Sequence, residues 1–178
     1  WHENDGLQSF AERLISTLAS AARTVYAADV DGDGDVDAVA GSGSDDTVEW
    51  FENDGSQSFS GSIITSRVLV PYDVKVLDVD GDADLDVMCA SGFMDEGEND
   101  YVLNWFENDG FQSFTTREMS NQPLDAVTVY AADVDGDGDV DAVAALPGDD
   151  AVAWFENVGN YIFLQRIVVC CEEVDAWG

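Results

Sequence analysis

One acidic nonapeptide, written three times, limits this chain more than any other feature. Asp29 to Asp37 reads DVDGDGDVD, Asp78 to Asp86 reads DVDGDADLD, and Asp133 to Asp141 repeats the first copy. Each places aspartates at relative positions 1, 3, 5, 7 and 9. Five carboxylates in nine residues repel one another unless a cation sits among them. Calcium suits such a loop, because it takes six to eight oxygens in flexible geometry, whereas magnesium requires a stricter octahedron.

Two further markers recur in step with the loops. WFENDG occupies Trp50 to Gly55 and Trp105 to Gly110, with WFENVG at Trp154 to Gly159 and WHENDG at Trp1 to Gly6. QSF follows at Gln8, Gln57 and Gln112. The loops start 49 and then 55 residues apart, a period that signals a repeat architecture. Within one unit the pattern predicts four short strands. The first approaches the acidic loop (Thr24 to Ala28, Thr128 to Ala132) and the second leaves it (Ala38 to Ala40, Ala142 to Ala145). The third carries the tryptophan (Val48 to Glu52) and the fourth runs near Ser58 to Ile64, Ser113 to Met119 and Tyr161 to Val169. Asn53-Asp54-Gly55 and Asn108-Asp109-Gly110 predict a tight hairpin between the last two. The only competing helical pattern, Phe10 to Leu18, is weak.

Four strands per unit of this length predict an all-β fold built from β-propeller blades, each of four antiparallel strands. The chain holds about three and a half blades: a half blade over 1–20, blades over 21–69, 70–123 and 124–170, and the start of a truncated repeat over 171–178. Closed propellers have four to eight blades. The expectation is therefore a partial propeller or one completed by a partner, with two copies in a homodimer making a seven-bladed ring. The chain opens with Trp1 rather than Met, so a native start is not expected here.

The expected metal ligands are Asp29, Asp31, Asp33, Asp35 and Asp37, then Asp78, Asp80, Asp82, Asp84 and Asp86, then Asp133, Asp135, Asp137, Asp139 and Asp141. Positions 1, 3, 5 and 9 would offer side chains and position 7 its backbone carbonyl. Position 12 is Ala40, Cys89 or Ala144 rather than glutamate, which excludes a helical EF-hand. Gly34 at position 6 permits a sharp turn, and Ala83 in its place predicts a weaker second site at a cost of about 1 kcal/mol. About three calcium ions follow as cofactors, with a structural role.

The net charge of −32 repels nucleic acid and anionic lipid. No apolar run is long enough to span a membrane, so no membrane insertion is expected. Three cysteines, Cys89, Cys170 and Cys171, form no framework; adjacent Cys170 and Cys171 read as strand thiols or as a strained disulfide. Unit two carries six extra residues between its second and third strands, within Ser91 to Tyr101. Phe93, Met94 and Tyr101 in this variable loop are the candidate ligand-binding residues, since specificity gathers in loops on a constant scaffold.

The motifs ADVDGDGDVDAV (Ala28 to Val39, Ala132 to Val143), LDVDGDADLDV (Leu77 to Val87) and WFENDG resemble the FG-GAP/VCBS-type repeats of integrin α-subunit heads and of secreted bacterial and algal surface proteins. The resemblance covers nearly the whole chain. It implies calcium held in the loop between the first two strands of a blade, an extracellular or cell-surface location, and adhesion or ligand binding. The FG and GAP pair itself is missing, with Leu146-Pro147-Gly148 a faint trace, which places the chain nearer the functionally diverse VCBS-like branch.

The expected function is a non-enzymatic, calcium-binding propeller scaffold with a protein or glycan ligand. The alternatives are a lectin-like module, in which Trp50, Trp105 and Trp154 stack on sugars, and the non-catalytic part of a secreted polysaccharide-active enzyme. Catalysis within the chain is not expected: His2 is its one histidine, Lys75 its one lysine, and the recurring close carboxylate pairs all lie in the acidic loops. An acidic calcium buffer would differ by binding many ions weakly.

Overall fold

β-Branched and aromatic residues alternate with small ones on either side of each acidic loop, and these stretches form strands. A computed structural model describes residues 1–91, 103–120 and 126–169. It begins with a hairpin of β1 (His2–Asn4) and β2 (Phe10–Glu12). Blade one contains β3 (Ala22–Ala28), β4 (Asp37–Ser42), β5 (Thr47–Asn53) and β6 (Phe59–Thr65). Blade two contains β7 (Pro71–Leu77), β8 (Asp86–Ser91), β9 (Leu103–Asn108) and β10 (Phe114–Glu118). Blade three contains β11 (Thr128–Ala132), β12 (Asp141–Leu146), β13 (Ala151–Asn157) and β14 (Phe163–Val169), with a 3₁₀ turn at Pro147–Asp149.

Each blade is an antiparallel meander in which every strand pairs with the next in sequence. The fold is therefore all-β, built of propeller-like four-stranded blades, and the sheets do not close on one another. Phe10 to Leu18 forms no helix: β2 takes its first residues, because Phe10 pairs with Asn4 across the hairpin. Cys170, Cys171, Phe93, Met94 and Tyr101 lie outside the described residues. Cys89 is buried in β8, and burial pushes its thiol pKa up, away from reactivity.

The hairpin after each tryptophan strand is longer than the sequence predicts. Asn53 still belongs to β5 and pairs with Phe59, so five residues make the turn. Asp54 explains the change: its Oδ1 accepts the Ser56 N–H at 2.9 Å and the Ser58 N–H at 3.3 Å, while its own N–H reaches the Ser58 carbonyl at 3.1 Å. Gly55 takes the expected left-handed conformation (φ 76°), and Gln57 of the QSF marker takes it too (φ 64°). A side-chain cap thus replaces a two-residue turn.

Blades stack through their apolar faces. Val39, Val48 and Trp50 of blade one meet Val74, Val76, Val87, Cys89 and Phe106 of blade two. Met88, Ala90, Leu103 and Trp105 on the other side of blade two meet Val129, Ala142, Ala144 and Phe155 of blade three. A polar staple repeats beside these cores. Thr24 Oγ1 accepts the Val74 N–H at 3.2 Å, and Asp73 Oδ2 accepts the Val129 N–H at 3.1 Å and the Thr128 hydroxyl at 2.8 Å. Thr24, Asp73 and Thr128 each stand five residues before their acidic loop. The outermost faces are less covered: Val25 is 67% exposed, whereas its counterparts Val74 and Val129 are 1% and 0% exposed.

Candidate metal sites

Each acidic loop joins the first two strands of a blade and folds on its own carboxylates. The position-1 aspartate accepts the N–H of position 6, from Asp29 to Gly34 (3.0 Å), Asp78 to Ala83 (3.0 Å) and Asp133 to Gly138 (3.1 Å). Position 3 accepts the N–H of position 5, and position 5 accepts that of position 7, as in Asp31 with Asp33 (3.2 Å) and Asp33 with Asp35 (2.8 Å). Blades two and three repeat both bonds. Position 6 is left-handed throughout: Gly34 at φ 98°, Gly138 at 100°, and Ala83 at 79°. Ala83 therefore completes the same turn while bearing the strain its Cβ entails.

These turns bring carboxylate oxygens together in three clusters, each with its oxygens within 4.8 Å of one another. Blade one gathers Asp29, Asp31 and Asp33; blade two Asp78, Asp80 and Asp86; blade three Asp133, Asp135 and Asp141. Asp82 and Asp137 at position 5 stand outside their clusters, as does Asp37 at position 9 of blade one. The position-7 side chains point elsewhere. Asp35 packs on the hairpin turn, so close that a Cβ at Gly55 would lie 2.5 Å from its Oδ2, and Asp84 crowds Gly110 in the same way. Asp139 leaves more room, 3.9 Å, at Gly159.

The residues present suit a hard divalent cation. The donor set is entirely oxygen, and Asp29 Oδ1 is buried without any hydrogen-bond partner. Such an atom is costly to bury empty-handed, and a cation is the partner a carboxylate takes when no N–H reaches it. Lost hydration is the first cause that raises the pKa values of Asp31, Asp80 and Asp135. Neighbouring carboxylates add to it, against one backbone N–H that works to lower each. A nearby positive charge reverses that balance.

Position 9 does more than face the loop. Asp37 is buried in β4, where Oδ2 accepts the Val30 N–H and the Trp50 indole N–H, both at 3.0 Å, and Oδ1 accepts the Asn53 N–H at 2.8 Å. It thus ties the acidic loop to the tryptophan strand. Asp86 holds Val79 and Asn108, and Asp141 holds Val134 and Asn157, with the same pair of backbone bonds. Burial pushes the Asp86 pKa up to about 7 although these N–H bonds oppose the shift. Asn53, Asn108 and Asn157 complete the joint, each donating its side-chain amide to the carbonyl just before the position-9 aspartate.

Sequence reasoning missed a second recurring pair. The glutamate of the tryptophan motif meets an arginine ten residues on: Glu3 with Arg13 (2.8 Å), Glu107 with Arg117 (2.6 Å) and Glu156 with Arg166 (2.8 Å). Trp105 faces Arg117 and Trp154 faces Arg166 across the hairpin, which places each arginine diagonally beside its glutamate. Three of the six basic residues stand at that offset, the signal that reveals the pair. Trp50 and Trp105, the stacking platforms of the lectin-like alternative, are buried between blades.

Among the described residues, no helix is long and apolar enough to cross a membrane. No curated protein matches the chain. A family model for the FG-GAP-like repeat matches it twice, over residues 29–89 and 78–144, so that both matched stretches start on an acidic loop. Repeats of this length, phased by the loops and folded as four-stranded blades, place the chain in the FG-GAP-like repeat family.

Proposed function

We propose that this chain is a calcium-stabilised, non-enzymatic propeller scaffold that works outside the cell or on its surface, where it presents a binding face to a protein or glycan. The observation that carries the reading is the convergence of oxygens in all three loops, with the orphaned Asp29 Oδ1 buried among them. Asp29, Asp31 and Asp33, Asp78, Asp80 and Asp86, and Asp133, Asp135 and Asp141 would hold the ions. A bound cation supplies charge neutralisation and fixes the loop, so binding free energy becomes folding free energy. Membership in the FG-GAP-like repeat family supports the extracellular setting and the adhesive role.

Ring completion by a second copy belongs to this reading. It is supported by Val25, exposed at the position where Val74 and Val129 are buried by a neighbouring blade. A chain that sediments as a monomer at high concentration in calcium would remove that part.

Calcium titration tests the core of the reading. Calorimetry is expected to find about three sites, and thermal melting with calcium is expected to lie well above melting with chelator. An unchanged melt after chelation would overturn the scaffold role. Many weak sites in place of about three would point to a calcium buffer instead.

A further inference from the structure

We propose that the three cation sites are graded, with the loop of blade one, Asp29 to Asp37, binding a divalent cation most tightly, and that the residue opposite each blade tryptophan sets the grade. The inference rests on the reading of these loops as cation sites.

The glutamate of the tryptophan motif stands beside each loop. Glu52, Glu107 and Glu156 each immediately precede the asparagine whose N–H is held by the position-9 carboxylate of the loop, and Glu107 lines one cleft with Asp80 and Asp82. In blades two and three an arginine offsets that charge: Arg117 lies 2.6 Å from Glu107 and Arg166 lies 2.8 Å from Glu156. Blade one differs. Ser62 occupies the place opposite Trp50 where the other blades put arginine. Among the described residues no cation pairs with Glu52, which accepts only a long bond, 3.4 Å, from the Ser60 hydroxyl. Loop one therefore keeps a unit of negative charge at its rim that loops two and three have neutralised.

The hydrogen bonding of the loops points the same way, independently. Asp78 gives its two oxygens to the N–H groups of Gly81 and Ala83, at 2.7 and 3.0 Å, and Asp133 gives its pair to Gly136 and Gly138, at 2.6 and 3.1 Å. Asp29 accepts only Gly34, so its Oδ1 remains buried and unpartnered. A cation in loop one meets an oxygen that no N–H already occupies. The blade-one cluster also omits Asp37, whose three N–H bonds would stay undisturbed, whereas those of blades two and three include the hydrogen-bonded Asp86 and Asp141.

One uncompensated charge within about 8 Å of a divalent ion changes its binding constant about five-fold in a water-like dielectric. That is the size of effect the test must resolve. Alanine at position 3 of two loops removes a ligand oxygen that asparagine would still supply, and leaves the third as the one intact site in the full chain. Calcium calorimetry on D80A/D135A, D31A/D135A and D31A/D80A then reads the sites singly. The D80A/D135A chain is expected to bind about five-fold more tightly than the other two. Adding Ser62→Arg to it is expected to weaken binding by a similar factor, with Ser62→Gln leaving it unchanged. Glu52→Gln should weaken it as well, and serves if Ser62→Arg disturbs the hairpin. Removing the offset in blade two, by Arg117→Gln in the D31A/D135A chain, is expected to tighten binding. Three equal constants, or a Ser62→Arg chain that binds like Ser62→Gln, would overturn the grading and leave calcium binding intact. Absence of calcium binding from all three chains, and from the unsubstituted one, would overturn the cation reading and the grading with it.

Discussion

At the scale of single residues, the aspartate at position 9 does the most. Asp37 takes three N–H groups, from Val30, Asn53 and Trp50, in a buried place where none can turn to water. Asp37→Ala leaves those donors unsatisfied, and the expected loss is about 2–4 kcal/mol in chemical denaturation with or without calcium. Asp35→Ala, two residues earlier, removes a carboxylate that accepts none of these bonds and should cost far less by the same measurement. Ala83 carries the opposite expectation. Its φ of 79° is a glycine conformation, so Ala83→Gly should raise stability by up to about 1 kcal/mol in the same denaturation measurement.

Between strands and blades, the staple from Asp73 to β11 offers a test by pH. Burial works to raise the Asp73 pKa, but Lys75 at 2.6 Å, the Thr128 hydroxyl and the Val129 N–H outweigh it and hold it below the ordinary aspartate value. A folded pKa below the unfolded one stabilises the protein above the unfolded pKa, and that stabilisation is lost as pH falls through the folded pKa. Asp73→Ala should therefore cost about 1–3 kcal/mol near neutrality and much less once pH is below the normal aspartate range, as followed by denaturation midpoints. The staple also marks how far the sequence can be read. Strand order, loop placement and the left-handed turn at position 6 follow from local patterns: turn residues, β-formers and a fixed period. Thr24, Asp73 and Thr128 share a register but not a chemistry, since Asp73 replaces a threonine, so no motif flags them. The five-residue turn was hidden because Asn-Asp-Gly suits a tight hairpin equally well, and only the cap made by Asp54 decides between them. Likewise, which loop oxygens converge depends on hydrogen bonds that identical nonapeptides in blades one and three make differently.

For the molecule as a whole, neighbours decide what a blade face contributes. Val74 and Val129 are sealed between sheets, and each should cost about 2 kcal/mol or more when cut to alanine. Val25→Ala, at the equivalent but largely exposed place in blade one, should change stability by less than about 0.5 kcal/mol in dilute solution, where no second copy is bound. Equal losses at the three valines would mean that Val25 is covered even there. The joint at Asp37 has one more consequence, for observation rather than stability. Its carboxylate, one bond from the loop backbone at Val30, also holds the indole nitrogen of Trp50. Indole emission responds to the charge and rigidity around that ring, so blade one carries a built-in optical probe at the edge of its acidic loop. Filling the loop should then register as a change in tryptophan emission, with no label attached, and Trp50→Phe should remove blade one's share of it.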